Sequence, residues 1–261
     1  MDGVNKTLYI PLYGKAYVSR RQLFLRDETA EKIWETAGFP LKGKAKSKWL
    51  AYNMGMRAAV FDRWLQETME QMPDAVILHI GCGLDSRICR VGTKGHPWYD
   101  LDFPEVIAER RRHFAEGENY YMLPADVRSR EWLDTIPSGK AIVVMEGVSM
   151  YLKMEELCGL LDQLADHFEK VQLLMDTYTV FGEKATRYKN PINTVGVTEV
   201  YGFDDPKMLT ENGNFQFAGE RDLTPEALIR QLPKGEQGIF RKLFAGKFAK
   251  KIYRLYAYER V

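Results

Sequence analysis

Apolar and polar positions along the chain change character sharply at one place, where residues 75–80 form an almost unbroken apolar run that ends at Gly81. Such a run is typical of a strand buried on both faces, as in a parallel sheet covered by helices. Gly81 and Gly83 then permit a sharp turn and let a ligand lie against the main chain. Residues 84–86 lead into helical sequence, whose first turn offers unpaired N–H groups. The pattern predicts a strand, a nucleotide-type binding turn and a helix.

The chain before this strand shows helical spacing. Asp27 can cap a helix that runs through Trp34. Ser47 opens a longer helix, and Arg57 lies on a different face of it from the apolar stripe. That stripe consists of Leu50, Met54, Ala58, Phe61 and Leu65. We therefore expect a helical cap over residues 1–72.

Strands and helices alternate after this cap, which is the signature of a doubly wound, mostly parallel, Rossmann-like sheet. The seven predicted strands are residues 75–80, 98–103, 120–123, 141–145, 171–175, 215–223 and 251–260. One helix starts at Pro104, because proline suits the first helical turn, and another carries an apolar stripe from Leu157 to Phe168. We expect a cofactor-binding core over residues 73–177, with the last two strands over 215–261.

Residues 178–214 interrupt this alternation of strands and helices. They contain Pro191 and Pro206, several glycines and scattered aromatic residues, and they are too many for an ordinary crossover. The aromatic residues include Phe181, Tyr188, Tyr201 and Phe203. We expect an inserted lid or substrate-recognition segment, with ordinary core packing of these rings as the alternative.

Composition excludes several classes of protein. The 261 residues carry a formal net charge of +1, so the overall charge balance gives no case for nucleic acid or an acidic membrane as partner. The run 110–112 of three arginines is interpreted as a solvated helix face. Three cysteines without a CxxC pair argue against a disulfide framework or a thiolate metal site. No secretory signal or membrane-spanning run is visible, so a cytoplasmic location is expected, while the oligomeric state cannot be read.

Acidic residues follow the glycine turn at the ends of the next three predicted strands. They are Asp100 and Asp102, then Asp126, then Glu146. In an open α/β sheet the ligand lies outside the carboxyl ends of the strands, where these side chains meet. An acidic residue after the second strand can accept both ribose hydroxyls, and one after the third can accept an adenine amino proton.

The same pattern helps to choose between nucleotides. A dinucleotide requires a third glycine in the turn, but here Ser86 stands at that position beside the anionic Asp85. Repeated carboxylates suit a cofactor with a ribose and a cationic sulfonium-amino acid end. An NAD-linked oxidoreductase is therefore disfavoured, and a cofactor-binding protein without catalysis stays open as an alternative.

Motifs over nearly the whole chain resemble one enzyme family. They lie at residues 6–16, 26–30, 81–87, 99–104, 125–128 and 146–152, together with the pair Arg57 and Asp62. The sequence resembles the leucine carboxyl methyltransferase family, and within it a bacterial branch of tetracenomycin-type polyketide O-methyltransferases. This resemblance implies a class I S-adenosylmethionine-dependent enzyme with a helical cap over a seven-stranded sheet. The eukaryotic members methylate the C-terminal leucine of a protein phosphatase, and no recognition surface for that protein is matched in residues 178–214.

The resemblance also implies a role for each matching residue. Arg57 would hold the cofactor carboxylate, and Glu146 would face its amino group or sulfonium. Asp102 would bind the ribose, while Asp126 and the Val127 main chain would meet the adenine. The remaining expected cofactor contacts are Lys15, Gly81, Gly83, Asp85 and Asp100.

These residues also have purely structural interpretations. Arg57 could pair with Asp62 or Glu67 on a solvated helix face. The sequence departs from the family pattern at His79 and Cys82, where small or aliphatic residues are expected, and Cys82 is interpreted as a small turn filler. Helix capping is the alternative for three others, Asp85, Ser86 and Asp126.

Methyl transfer from a sulfonium is a direct displacement, so the protein must mainly align acceptor, methyl carbon and leaving sulfur. A carboxylate, with a pKa of roughly 4, is already ionised at neutral pH, whereas a phenol at roughly 10 is not. His96 and His167 precede strands, far from the expected site, and His79 in a strand and His113 on a helix are interpreted as structural. We predict no histidine base, and a small-molecule acceptor with a carboxylate or acidic hydroxyl. Tyr151, soon after the fourth strand, is expected to line the pocket and position the acceptor.

Overall fold

The structure, a computed structural model, describes residues 7–39, 41, 43–186 and 199–261. Its helices in chain order are α1 (Tyr9–Arg20), α2 (Glu28–Ala37), α3 (Lys48–Gln71), α4 (Arg87–Val91), α5 (Pro104–Arg110), α6 (Met154–His167), α7 (Val180–Thr186), α8 (Glu226–Ile229), α9 (Lys234–Phe244) and α10 (Gly246–Lys250). Its strands are β1 (Val76–Ile80), β2 (Trp98–Asp102), β3 (Tyr120–Pro124), β4 (Gly139–Met145), β5 (Phe168–Tyr178), β6 (Gln216–Arg221) and β7 (Tyr253–Arg260). Short 3-10 helices lie at Gly43–Lys46, Glu131–Thr135, Ser149–Tyr151 and Pro206–Thr210.

The strands form a seven-stranded sheet in the order β3-β2-β1-β4-β5-β7-β6. Neighbouring strands from β1 to β5 are parallel, and β7 runs antiparallel between β5 and β6. Along β1, Leu78 and Ile80 pack into the core on one face of the sheet, and Ile77 packs into the core on the other. The unbroken apolar run is therefore explained by burial on both faces, and the predicted fold class is confirmed.

The helical segment before the sheet brings Lys15 and Arg57, two of the predicted site residues, close together. The Asp27 side chain accepts a hydrogen bond from the Ala30 N–H at the start of α2, as expected of an N-cap. Helices α1 and α3 pack very closely, since a Cβ on Gly14 would lie 2.5 Å from the Cβ of Met54. This close contact brings Lys15 on α1 and Arg57 on α3 to the same end of the sheet.

The C-terminal helices α8, α9 and α10 were not expected between the last two predicted strands, although Ile239, Phe240, Leu243 and Phe244 recur at helical spacing within α9. Helix α9 is fixed against α3 by a buried Phe240 and by Glu236, which accepts a hydrogen bond from the Tyr52 hydroxyl at 2.6 Å. Lys48 forms an ion pair with the same carboxylate at 2.7 Å.

Two sequence interpretations need correction. In the run 110–112, Arg111 and Arg112 are exposed as expected, but Arg110 is fully buried, because α5 packs against the sheet and Arg110 pairs with a strand carboxylate. His113 lies beyond the end of α5, which stops at Arg110. His96 and His167 do lie away from the carboxyl edge, and each hydrogen-bonds a main-chain carbonyl, of Ala75 and Ile136 respectively.

The segment 178–214 is described only in part, since residues 187–198, including Tyr188 and Pro191, lie outside the described residues. Phe203 packs in the core against Tyr256, as the alternative interpretation allows. Within the described part of this segment, Tyr178 lines the cavity discussed below. The lid stays a prediction.

In the described ranges, no helix is both long enough and apolar enough to cross a membrane. Cys82, Cys89 and Cys158 are all free thiols. The cytoplasmic location stays a prediction.

Candidate active site

A cavity of about 650 Å³ opens at the carboxyl ends of the parallel strands. The polar part of its wall comes from α1, α3 and the strand ends. The larger, apolar part comes from the start of the chain, α3 and the C-terminal helices. The polar wall includes Lys15, Arg57, His79, Gly81, Gly83, Asp85, Asp102, Asp126, Arg128 and Glu146, and the apolar wall includes Leu8, Leu50, Met54, Leu243, Phe244, Phe248 and Ile252.

The turn after β1 requires glycine. Gly81 and Gly83 have φ angles of +65° and +50°, a conformation that side chains disfavour. A Cβ on Gly81 would also lie 2.2 Å from Cγ2 of Val148, so no larger residue fits without a shift. The bare main chain at residues 81–83 therefore forms part of the cavity wall, as the sequence predicts.

Asp102 closes this turn from β2. Its carboxylate accepts hydrogen bonds from the N–H groups of Gly83 and Phe103, both at 2.8 Å. Burial nevertheless outweighs these bonds and raises the pKa of Asp102 to about 6. The carboxylate is thus poised to gain from further donors such as ribose hydroxyls.

A buried network of charged side chains lies across the cavity floor. Lys15 Nζ lies 2.7 Å from Asp85 Oδ2 and 3.6 Å from Glu146 Oε1. Arg57 Nε donates to Glu146 at 3.1 Å, and Arg87 donates to the other oxygen of Glu146. Burial alone would raise the pKa of Glu146, but three neighbouring cations lower it below its ordinary value. Glu146 is therefore ionised at neutral pH.

Arg57 joins this network to β5. Its Nη1 donates to Asp176 Oδ2 at 2.9 Å and to the Tyr253 hydroxyl at 3.0 Å. The Tyr253 hydroxyl in turn donates to Asp176 at 2.6 Å. The alternative that Arg57 pairs with Asp62 or Glu67 is wrong: Asp62 pairs with Arg87 and Arg90, and Glu67 pairs with Arg63.

A second layer of charge lies beneath the turn. Asp100, expected at the cofactor, does not reach the cavity wall, because it lies two residues, about 7 Å, behind the end of β2. Its carboxylate accepts hydrogen bonds from His79, Trp98, Tyr120 and Arg110. Burial opposes its ionisation, but Arg110 and these hydrogen bonds lower the pKa of Asp100 to about 2.

Arg110 connects this layer to the turn. Its Nη1 donates to the carbonyl oxygens of Gly83 at 3.0 Å and Asp85 at 2.7 Å, while Nη2 pairs with Asp100. The turn is therefore held from below by a buried guanidinium.

The proton on His79 can be assigned from its neighbours. Arg87 Nη1 lies 3.0 Å from His79 Nε2, and arginine can only donate, so Nε2 accepts. Nδ1 then carries the proton and donates to Asp100 at 2.9 Å. Burial lowers the pKa of His79 and keeps the ring neutral. Both ring nitrogens are thus occupied within the protein.

The edge near β3 is more open. Asp126 accepts hydrogen bonds from the Arg128 N–H at 3.0 Å and from its guanidinium, which lowers the pKa of Asp126. The 3-10 helix near Glu131 has Arg130 as its N-cap, so the capping alternative for Asp126 is wrong. Val127 packs against the core, and Asp126 and Arg128 form the cavity wall here.

Two further expectations concern the start of α4 and Tyr151. Ser86 is the N-cap of α4, but its side chain makes no capping hydrogen bond and instead donates to Asp27. The side chain of Asp85 pairs with Lys15 rather than capping α4. Tyr151 lines the cavity as expected, and burial raises its pKa to about 12.

The charged network fits a positively charged donor. In the described part of the chain it comprises four cations, Lys15, Arg57, Arg87 and Arg90, against five carboxylates, Asp27, Asp62, Asp85, Glu146 and Asp176. S-adenosylmethionine carries a sulfonium and an amino acid group, so its net charge is positive. The bare turn at residues 81–83 and the acidic strand ends match such a ligand, whereas a diphosphate would meet Asp85.

Comparison with known proteins decides the family. The model of the family described as leucine carboxyl methyltransferase matches residues 12–165. The chain belongs to the leucine carboxyl methyltransferase family. This member is 30% identical over 212 residues to the tetracenomycin polyketide synthesis O-methyltransferase TcmP of Streptomyces glaucescens, covering 80% of this chain and 78% of the relative. It is 27% identical over 183 residues to the S-adenosyl-L-methionine-dependent methyltransferase dpfgK of Gibberella zeae, covering 64% of this chain and 61% of the relative.

Solved structures show the same fold in this family member. Magnesium protoporphyrin IX methyltransferase (ChlM) from Synechocystis PCC 6803 with bound SAH matches with a TM-score of 0.53 at 13% identity, over 90% of this chain and 93% of that chain. The same enzyme with bound SAM matches with a TM-score of 0.51, over 95% of this chain and 97% of that chain. This member of the family is an S-adenosylmethionine-dependent methyltransferase, which decides against the NAD-linked alternative.

The sequence interpretation of this methyltransferase missed several residues at the site. Asp176 directly follows the predicted strand 171–175, which the structure extends to Tyr178, so the strand-end rule that found Glu146 could have found it. Arg87 and Arg110 could not, because the sequence gives no signal that their charges are buried. Leu243 and Phe248 were missed because α9 and α10 were not predicted.

Proposed function

We propose that the protein transfers a methyl group from S-adenosylmethionine to an oxygen of a small molecule, either a carboxylate or an acidic hydroxyl that arrives already ionised. The observation that carries this proposal is the state of His79. It is the one histidine on the cavity wall in the described residues, and both of its ring nitrogens are hydrogen-bonded within the protein.

The tyrosines at the cavity support the same conclusion. Burial raises the pKa of Tyr151 to about 12, so its hydroxyl stays protonated near neutral pH. Burial and the nearby Asp176 also raise the pKa of Tyr253. Neither phenol is suited to remove a proton from an acceptor, which favours an acceptor that needs no base.

The residues on the polar wall would hold the donor. Arg57 and Lys15 would hold its carboxylate, and Glu146 would balance its amino group or sulfonium. Asp102 would accept from the ribose and Asp126 from the adenine amino group. When bound, the donor supplies an electrophilic methyl carbon, and the protein aligns the acceptor oxygen with it and excludes water.

The remaining expected contacts have different parts in this proposal. Gly81 and Gly83 would give the methionine portion a bare main chain to lie against, and Asp85 would fix the Lys15 ammonium. Asp100 would act indirectly, by holding the turn through Arg110. The relative's name, which refers to polyketide synthesis, supports a small-molecule acceptor rather than a protein.

A screen of phenolic and carboxylic acceptors with S-adenosylmethionine, read by mass spectrometry, tests the proposal. We expect methyl transfer to acidic acceptors, at a rate that follows the ionised fraction of a phenol series as pH rises. Binding of S-adenosylmethionine without transfer to any phenolic or carboxylic acceptor would contradict an acidic oxygen as the methyl acceptor. Loss of turnover in His79→Asn, with fold and cofactor affinity intact, would contradict the absence of a histidine base.

A further inference from the structure

The apolar side of the cavity ends at the C-terminal wall, which we define as residues 241–251, the end of α9 and all of α10. Leu243, Phe244, Phe248 and Ala249 from this wall line the cavity. They line the same cavity as the polar strand ends. The wall is therefore placed to contact whatever lies beside the donor.

The C-terminal wall is fixed in place by contacts with the rest of the protein. The ring of Phe244 stacks on Trp49 of α3, with centroids 5.3 Å apart and an interplanar angle of 12°. Gly246, at φ +67°, turns the chain from α9 into α10. These contacts fix the position of the wall in the protein alone, so its cavity-facing side chains are pre-organised.

Two of those side chains are unusually exposed for large apolar residues. Leu243 is 52% exposed and Phe248 is 55% exposed, although both line a cavity. Exposed apolar side chains grouped at a cavity mouth are typical of a ligand-binding surface. Their exposure is relieved if an apolar ligand covers them.

Unpaired cations flank these apolar residues. Lys242, Lys247 and Lys251 are exposed, and no ion-pair partner for them occurs among residues 7–39, 41, 43–186 and 199–261. By contrast, the neighbouring Arg241 and Lys250 pair with Glu226 and Glu220. The wall thus offers apolar surface bordered by uncompensated positive charge.

We propose that the C-terminal wall is the acceptor subsite and that it selects an apolar, ring-containing anion. Leu243 and Phe248 are its specificity-determining residues, because they cover the ring system. The lysines border the wall without lining the cavity and favour an anion through the positive potential at its mouth, while the ionised oxygen of the acceptor faces the donor. The inference rests on the proposed function and extends it, since it names the residues that choose the acceptor.

The test uses protein saturated with S-adenosylhomocysteine, titrated by calorimetry with 2-naphthoate and with its neutral analogue 2-naphthamide. We expect tighter binding of 2-naphthoate, with an advantage that shrinks as salt is raised, because exposed charges are screened. Leu243→Ala and Phe248→Ala should each weaken 2-naphthoate binding about tenfold. Ile239→Ala is the matched control, because Ile239 is an exposed apolar residue of α9 that does not line the cavity.

The lysines are tested by replacing all three with glutamine, which should weaken 2-naphthoate about fivefold and leave 2-naphthamide unchanged. Lys234→Gln, at the far end of α9, is the control and should change neither ligand. Affinity for S-adenosylhomocysteine should be the same in all variants. Unchanged 2-naphthoate binding in Leu243→Ala and Phe248→Ala overturns the inference, as does a wild-type protein that binds S-adenosylhomocysteine but not 2-naphthoate. A wild-type protein that fails to bind S-adenosylhomocysteine contradicts the proposed function itself.

Discussion

Arg110 offers the sharpest test of how the cofactor turn is held. The change Arg110→Met keeps most of the side-chain volume but removes the guanidinium. Asp100 then stays buried without its cation, and the carbonyl oxygens of Gly83 and Asp85 lose their donor. Breaking a buried ion pair on one side destabilises a protein by about 3–5 kcal/mol.

The expected loss of stability lies at the lower end of this range of about 3–5 kcal/mol, because other donors to Asp100 remain. His79, Trp98 and Tyr120 still donate to its carboxylate, so we expect a loss of about 3 kcal/mol in the free energy of unfolding at neutral pH. For a chain of this size that corresponds to a fall in Tm of about 10 °C. A loosened turn should also weaken binding of S-adenosylhomocysteine about tenfold, or about 1.4 kcal/mol.

The stability that the ionised Asp100 contributes depends on pH. The pKa of Asp100 is lowered to about 2 from its usual value near 4, so its stabilising contribution is present above about pH 4 and lost as pH falls toward 2. In Arg110→Met the carboxyl can relieve its buried charge by taking up a proton. The stability difference from wild type should therefore be largest at neutral pH and shrink in acid.

Urea unfolding across pH and calorimetric titration with S-adenosylhomocysteine measure both effects. Arg112→Met is the matched control, because the Arg112 side chain is 74% exposed and its pair with Glu109 is a surface contact worth about 0–1 kcal/mol. Arg110→Lys should recover part of the stability but less of the affinity, because one ammonium does not reproduce the planar fork that reaches both carbonyls and Asp100. Wild-type stability and affinity in Arg110→Met at neutral pH would refute this reasoning.

Three further predictions concern the cavity wall. Affinity for S-adenosylmethionine should fall as pH drops through about 6, because the pKa of Asp102 is raised to about 6 and only the ionised carboxylate accepts both ribose hydroxyls. Asp102→Asn should remove this pH dependence in calorimetric titrations. A wild-type affinity that does not change with pH would contradict the role of Asp102. Gly81→Ala should destabilise the protein by about 1–3 kcal/mol, because its Cβ would lie 2.2 Å from Val148. Gly83→Ala should lose less stability, because the nearest atom to its Cβ lies at 3.4 Å. Equal losses of stability in thermal unfolding would count against this comparison. Tyr151→Phe should reduce kcat by far less than the roughly 100-fold loss expected when a general base is removed, because the pKa of Tyr151 is raised to about 12. A loss of kcat of about 100-fold in steady-state kinetics would instead assign Tyr151 a role in proton transfer.

The sheet and the ends of its parallel strands follow from local patterns in the sequence. A strand buried on both faces can be recognised from a few neighbouring residues, as residues 75–80 were, because its apolar pattern is local. The parallel topology then places Gly81, Asp102, Asp126 and Glu146 at one edge. Those residues could be found without knowing any long-range contact.

Which charges are buried, and which partners they have, depends on the packing of elements that are distant in the chain. Arg110 looks like part of a solvated run, yet it lies beneath the turn, because α5 packs on the sheet and brings it to Asp100. Asp100 and Asp102 look equivalent, but two residues of strand separate the cavity wall from the layer behind it. The wall formed by α9 and α10 was equally hidden, because its position depends on contacts with α3, nearly two hundred residues earlier in the chain. Local pattern determines an element, whereas the environment of a side chain depends on elements that are distant in sequence.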